Sequence, residues 1–127
     1  MWDIGVDVVE VQRFRRLDYP NHKRFYNRIF TPREIDYCLS FKNAAQHFAA
    51  TFAGKESVFK AVNRHIRVKP REIEILRDGD APQVNLVRGR VGMADTGSQV
   101  EVKVSLSHTQ SYAIAFALAR FEKAGQT

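Results

Sequence analysis

The sequence predicts an α+β domain in which an antiparallel sheet packs on one long helix. Three observations lead there. Stretches that alternate apolar and polar residues stand near both ends of the chain, at 3–11 and 100–120. Between them, 43–65 carries its apolar residues at helical spacing. The order is one strand, then helices, then two hairpin-like pairs, which is the order of an antiparallel sheet with segregated helices. At 127 residues the chain makes a single domain with a real core, over 1–121, followed by a loose tail, "EKAGQT", over 122–127.

The elements follow in order. "DIGVDVVEV" (3–11) sets Ile4, Val6 and Val8 against Gly5, Asp7 and Val9, the pattern of a half-buried strand that ends near Glu10. "QRFRRLDYPNHKRFYNRIF" (12–30) is basic, with Phe14, Leu17, Phe25, Ile29 and Phe30 as its apolar positions. Pro20 splits it into two short helices, because proline has no amide hydrogen to donate. "TPREIDYCLSF" (31–41) starts a helix with a capping box: Thr31 at the cap, Pro32 at the first helical position, Glu34 three residues after the cap. The long helix spans 43–65, with Asn43 to cap it and Phe48, Phe52, Phe59 and Val62 near one stripe. Ala45, Ala49 and Ala53 lie beside that stripe, and Pro70 follows the helix end. "EIEILRD" (72–78), a "DGDAP" turn (78–82) and "QVNLV" (83–87) read as a strand and its return. "RGRVGMADTGSQ" (88–99) is either a short helix or a loop. "VEVKVSLSH" (100–108) places Val100, Val102, Val104 and Leu106 on one face, and "YAIAFALAR" (112–120) closes a hairpin with it.

Composition narrows the function. A net charge of +6 favours anionic partners: nucleic acid, phosphorylated small molecules, acidic proteins or anionic membranes. Cys38 is the only cysteine, which excludes an intrachain disulfide and a thiolate metal site; it falls in the apolar pattern Ile35, Cys38, Leu39 as core filler. No apolar run approaches the ~20 residues of a membrane span, and "MWDIGVDVV" lacks the basic start of a signal peptide. The cytoplasm is the expected location.

Three constellations carry possible chemistry. Asp7, with Glu10 near it, interrupts an apolar strand, and a carboxylate there needs a partner, solvent or an arginine. "AGKESVFKAV" (53–62) puts Lys55, Glu56 and Lys60 in an apolar helix. Glu56 and Lys60 share a face, as a surface ion pair or as part of a site; Lys60 or a metal would satisfy a partly buried Glu56. "SLSHTQSY" ends a strand at His108, either a turn histidine among hydroxyls or a donor to a phosphate. Two oxygen-only acids suit a hard cation such as Mg²⁺; His22, His47, His65 and His108 show no zinc spacing.

In this order the motifs resemble one family, holo-[acyl-carrier-protein] synthase, the small type of 4′-phosphopantetheinyl transferase. Its marks read here as "GVDVVE" (5–10), "RIFTPREIDYC" (28–38), "FAGKESVFKA" (52–61) and "SLSHTQSYA" (105–113). The likeness runs from about residue 3 to residue 120. It implies the 4′-phosphopantetheinyl transferase fold, assembled as a homotrimer with each active site shared between neighbouring subunits. It implies transfer of the phosphopantetheine arm of coenzyme A to a serine of an apo acyl carrier protein, releasing adenosine 3′,5′-bisphosphate. Asp7 and Glu56 match the Mg²⁺ ligands, and Glu56, Lys60 and His108 the catalytic groups. Lys55, Lys60, Asn63, Arg64, Pro82 and His108 fall at coenzyme-contacting positions. Arg13, Arg24 and Arg28, with Arg16, match a docking face for the acidic carrier.

The chain departs from the family in three places. Thr51 stands where many members have arginine, and Gly54 replaces a frequent alanine. "VNRHIRVKP" (62–70) replaces a glycine-rich loop, so Arg64, Arg67 and Lys69 are expected to offer phosphate contacts from side chains. The rival reading is a basic α+β domain that binds nucleic acid. It explains the charge but not the acids at Asp7 and Glu56, which repel phosphate unless a metal intervenes. Neither nucleic acid nor membrane is expected as a partner.

Overall fold

The structure is a computed structural model and describes residues 1–77, 79, 81–86 and 98–123. Strand β1 (Trp2–Glu10) opens the chain, followed by helices α1 (Val11–Arg16), α2 (Lys23–Ile29), α3 (Pro32–Leu39) and α4 (Ala44–Val62). A ribbon of β2 (Ile73–Leu76) and β3 (Gln83–Leu86) comes next, then the long hairpin of β4 (Ser98–His108) and β5 (Tyr112–Lys123). Among the described residues the pairings are antiparallel, in a three-stranded sheet of order β1-β5-β4 and a two-stranded sheet of β2 and β3. The long helix α4 lies across the larger sheet and contacts all three of its strands. The expected α+β class and antiparallel sheet are therefore present.

The helix boundaries follow local chemistry. Pro20 sits in a short 3-10 turn, Tyr19–Asn21, between α1 and α2, as its missing amide requires. The capping box of α3 forms on both sides: Glu34 N–H donates to Thr31 Oγ1 at 3.2 Å, and Thr31 N–H donates to Glu34 Oε1 at 2.8 Å. Asn43 precedes α4 without capping it; its amide donates to the Gln46 side chain instead. Phe14, Tyr26, Phe30 and Phe48 are buried together where α1, α2 and α4 meet, with edge and stacked contacts such as 4.6 Å between the Tyr26 and Phe48 centroids. Each such buried ring contributes about 1.5–3 kcal/mol by area.

Helix and sheet approach closely because the residues between them are small. Ala113, Ala115, Ala117 and Ala119 line the inner face of β5, and Ala49, Ala53 and Ala61 face them from α4; all are fully buried. At Gly5 even a methyl is impossible, since a Cβ there would stand 1.9 Å from the Ser57 carbonyl oxygen. This seam reverses the expected face of β1. Gly5, Asp7 and Val9 point to the helix, while Ile4, Val6 and Val8 are 54–62% exposed. The large residues cannot fit under a helix this near. On β4 the expected face, Val100, Val102, Val104 and Leu106, does turn inward. Strand β5 runs to Lys123, two residues into the stretch expected as a tail. The segment 88–97, read as helix or loop, lies outside the described residues, as do Asp78 and Asp80 of the turn, Val87 of the return strand and 124–127 of the tail.

Candidate active site

The site grows from the β1–α4 seam. With Gly5 packed against the helix backbone at Ser57 and Ala61, the next inward residue of β1, Asp7, comes beside the following turn toward the helix start. Lys60 Nζ donates to the Val6 carbonyl at 3.0 Å and to Asp7 Oδ1 at 3.3 Å. The second oxygen, Asp7 Oδ2, is buried and has no hydrogen-bond partner among the described residues. Glu56, one helical turn before Lys60, is half-buried on the same face. Its carboxyl is pushed above the ordinary range by burial first and by the Asp7 charge second; Lys60 and Arg13 pull the other way. Arg13 closes the rim from α1, its guanidinium 5.2 Å from the centre of the Phe52 ring. Two acids thus share a partly dry space under one amine, and one oxygen is left over.

That leftover oxygen tests the donor set for a cation. Among the described residues no three His, Cys, Asp or Glu side chains gather as a metal cluster. Two carboxylates with an orphaned buried oxygen are nevertheless what magnesium uses, since it completes its shell with water and substrate phosphate. Asp7 and Glu56 fit a hard cation and not zinc, which takes a fuller nitrogen or sulfur set.

The other expected site residues separate. Lys55 is a correction: it is 1% exposed, with its ammonium 2.7 Å from Glu34 Oε1 and donating to the Ile73 carbonyl, so it cannot touch a coenzyme. Glu10 falls on the outward side of β1, away from Asp7. Asn63 and Arg64 are exposed at the C-terminal end of α4, further along the Glu56–Lys60 line. Pro82 borders β3. His108 is exposed at the end of β4, the far edge strand from β1, with its ring 5.7 Å from that of His47. Thr109 at that hairpin serves the backbone, its hydroxyl accepting from the Ser111 and Tyr112 amides. Arg13, Arg16, Arg24 and Arg28 are all exposed, and none makes an ion pair among the described residues.

Sequence reasoning missed two groups. Asp3 faces the same way as Asp7, and its Oδ2 lies 3.3 Å from His65 Nε2 past the end of α4; the shared parity on β1 was the available signal. Near His108, Arg77 donates to Thr51 Oγ1 at 2.8 Å and stacks on Tyr37, with His47 flat against Phe41. Burial and the neighbouring His108 and Arg77 charges push the His47 pKa down. No spacing pattern announces that cluster.

Comparison with known proteins agrees with the fold. A family model described as the 4′-phosphopantetheinyl transferase superfamily matches residues 3–117. A holo-[acyl-carrier-protein] synthase from Geotalea daltonii is 38% identical over 119 residues, 91% of this chain and 94% of that one. One from Chlamydia caviae is 39% identical over 120 residues, 91% and 93% of the two chains. Among solved structures, an ACPS–CoA complex from Chronobacterium ammoniagenes superposes with a TM-score of 0.78 at 27% identity, over 97% and 99% of the chains. The Neisseria meningitidis holo-[acyl-carrier-protein] synthase gives 0.77 at 28% identity, over 93% and 97%. Sequence and fold agree, and the chain belongs to the holo-[acyl-carrier-protein] synthases of the 4′-phosphopantetheinyl transferase superfamily.

Proposed function

We propose that this chain moves the 4′-phosphopantetheine group of coenzyme A onto a serine hydroxyl of an apo acyl carrier protein, leaving adenosine 3′,5′-bisphosphate. The observation that carries the reading is the convergence of Asp7, Glu56 and Lys60, with Asp7 Oδ2 unpartnered among the described residues. In the transfer, the serine oxygen bonds to the phosphorus that bears the pantetheine arm. The bond from that phosphorus to the bridging oxygen of the diphosphate breaks. Glu56, half-buried beside Asp7 and Lys60, is the carboxylate we assign to accept the serine proton. Lys60, half-exposed beside Asp7, is the cation assigned to the charge that builds on the leaving phosphate, and it can give that oxygen a proton. Asp7 and Glu56 would hold Mg²⁺, which neutralises the diphosphate charge when bound.

The same reading covers the surfaces around the site. Arg13 at its rim and Arg16, Arg24 and Arg28 beyond it form an exposed basic face that makes no ion pair among the described residues. Such a face suits an acidic carrier and speeds the encounter. The outer face of the sheet supports a homotrimer: Ile4, Val6, Val8, Ile114 and Phe116 lie adjacent across the β1–β5 ladder and are each at least 45% exposed. His108 stands two strands away from Asp7, so it would join the acid pair of a neighbouring copy rather than its own. Intact mass spectrometry tests the function. With coenzyme A and Mg²⁺, an apo carrier should gain the mass of one phosphopantetheine group, and no gain across several carriers would defeat the proposal.

A further inference from the structure

Strand β2 lies along α4 in a fixed register. Ile73, Ile75 and Arg77, alternate residues of the strand and its exit, meet Lys55, Gly54 and Thr51 in turn. The Ile73 carbonyl accepts from Lys55 Nζ. A methyl added at Gly54 would stand 3.4 Å from Ile75 Cγ1. Arg77 Nη2 donates to Thr51 Oγ1 at 2.8 Å. The strand period of two thus runs along one face of the helix at positions i, i+3 and i+4.

A buried ion pair anchors that register. Lys55 Nζ and Glu34 Oε1 are 2.7 Å apart, each side chain 1% exposed. The second oxygen of Glu34 accepts from the Ile75 amide at 2.8 Å, while Thr31 Oγ1 donates to Glu74 Oε2 at 2.7 Å. Every one of these bonds ends on β2 or on the cap of α3. Among the described residues the ribbon shares no ladder with the main sheet, and two short strands have little stability of their own. Helix α4, by contrast, is already seated on the main sheet by its buried alanines, Val58 and Val62. An apolar pair would fill the same space at lower desolvation cost, but it would not specify which amide and which carbonyl of β2 must meet the helix.

We infer that Lys55 and Glu34 are positioning residues for the coenzyme end of the reaction: their pair holds β2 in register on α4, and with it Arg77, near His47 and His108. The inference rests on the transferase reading for the identity of the ligand. Through this register the Arg77 guanidinium is stacked 4.9 Å from the Tyr37 ring, with its Nε buried and unpartnered among the described residues, on the side of α4 that carries His47. Lys55 acts on the coenzyme through the ribbon, without touching it.

The test uses the full chain with Lys55→Met and, as a milder change that keeps an acceptor for the Ile75 amide, Glu34→Gln. Calorimetry gives the Kd for coenzyme A, mass spectrometry of the carrier gives its KM, and hydrogen exchange reports the Ile75 amide. Lys55→Met should weaken coenzyme A binding about tenfold or more, leave the carrier KM within about twofold, and speed exchange at Ile75. Glu34→Gln should move all three in the same sense by less, and it carries the comparison if Lys55→Met does not fold. Adding Arg77→Ala to Lys55→Met should cost much less coenzyme affinity than Arg77→Ala alone, since coupled positions are not additive. An unchanged coenzyme Kd in a folded variant, equal losses for coenzyme and carrier, or full additivity would overturn the inference. If the unaltered chain binds coenzyme A but modifies no carrier, the transferase reading fails while Kd and exchange still judge the register.

Discussion

Glu56 shares a poorly hydrated space with Asp7, and their mutual repulsion is relieved only in part by Lys60 and Arg13. Its raised pKa means that the metal-free native state keeps a proton the unfolded state has released. Stability from this group is therefore full below the ordinary carboxylate pKa and is lost as pH rises through the raised value. Glu56→Gln should abolish transfer and yet leave the metal-free protein at least as heat-stable as the parent, with its advantage growing as pH rises. Mg²⁺ should raise the melting temperature of the parent, by up to about 2.7 kcal/mol of stability at a hundredfold excess over Kd, and should not do so in Glu56→Gln. Differential scanning calorimetry with and without the ion checks both. Cys38 offers an independent test. Burial pushes its thiol from 9.0 to about 12, so its stabilising contribution is whole below pH 9 and declines above it. Denaturant titrations from pH 8 to 10 should show a loss approaching about 1.4 kcal/mol per pH unit above 9, reduced in Cys38→Ala. Tyr26, also raised by burial, joins only above its ordinary value of 10.0. Asp7, Glu56 and Lys60 stood out in the sequence as charges inside apolar periodic segments, and it was the shared motifs that gave them roles. The burial of Lys55 was not, because its partner Glu34 reads locally as a complete helix cap.

Among the elements, β1 and α4 depend most on each other. Gly5 sits where the strand touches the helix backbone, so the collision of an added methyl with the Ser57 carbonyl has no side-chain rotamer to relieve it. Gly5→Ala should cost about 3 kcal/mol or more, or prevent folding, and should lower transfer even where it folds, because the Asp7–Lys60 contact hangs on the same seam. Thermal unfolding with the mass assay on the folded fraction measures both effects. Helix starts and breaks were readable because caps and prolines act over three or four residues, as at Thr31 and Pro20. The face of β1 was misread because alternation shows two faces without saying which one a helix will press. Small residues mark the close side here, and large ones are left outside.

At the scale of the whole molecule, the uncovered apolar face is the feature a single chain does not resolve. Ile4, Val6 and Val8 on β1 stand beside Ile114 and Phe116 on β5, the kind of contiguous surface that self-association buries. Phe116→Asp should dissociate the proposed trimer to monomers in light scattering and abolish transfer, because His108 would no longer stand near a neighbour's acid pair. A variant that stays trimeric, or a monomer with full activity, would contradict that arrangement. From the sequence alone came the class of fold, the helix starts, the acids, the amine and the family they resemble, since all of these are written in local spacing and motif order. Tertiary structure alone decided which side of β1 is buried, that Lys55 is spent on Glu34, that Arg77 reaches Thr51, and that His108 and Asp7 occupy opposite edges of the sheet. Those outcomes depend on how closely distant segments approach, and that distance is set by the combined volumes of side chains that no single stretch contains.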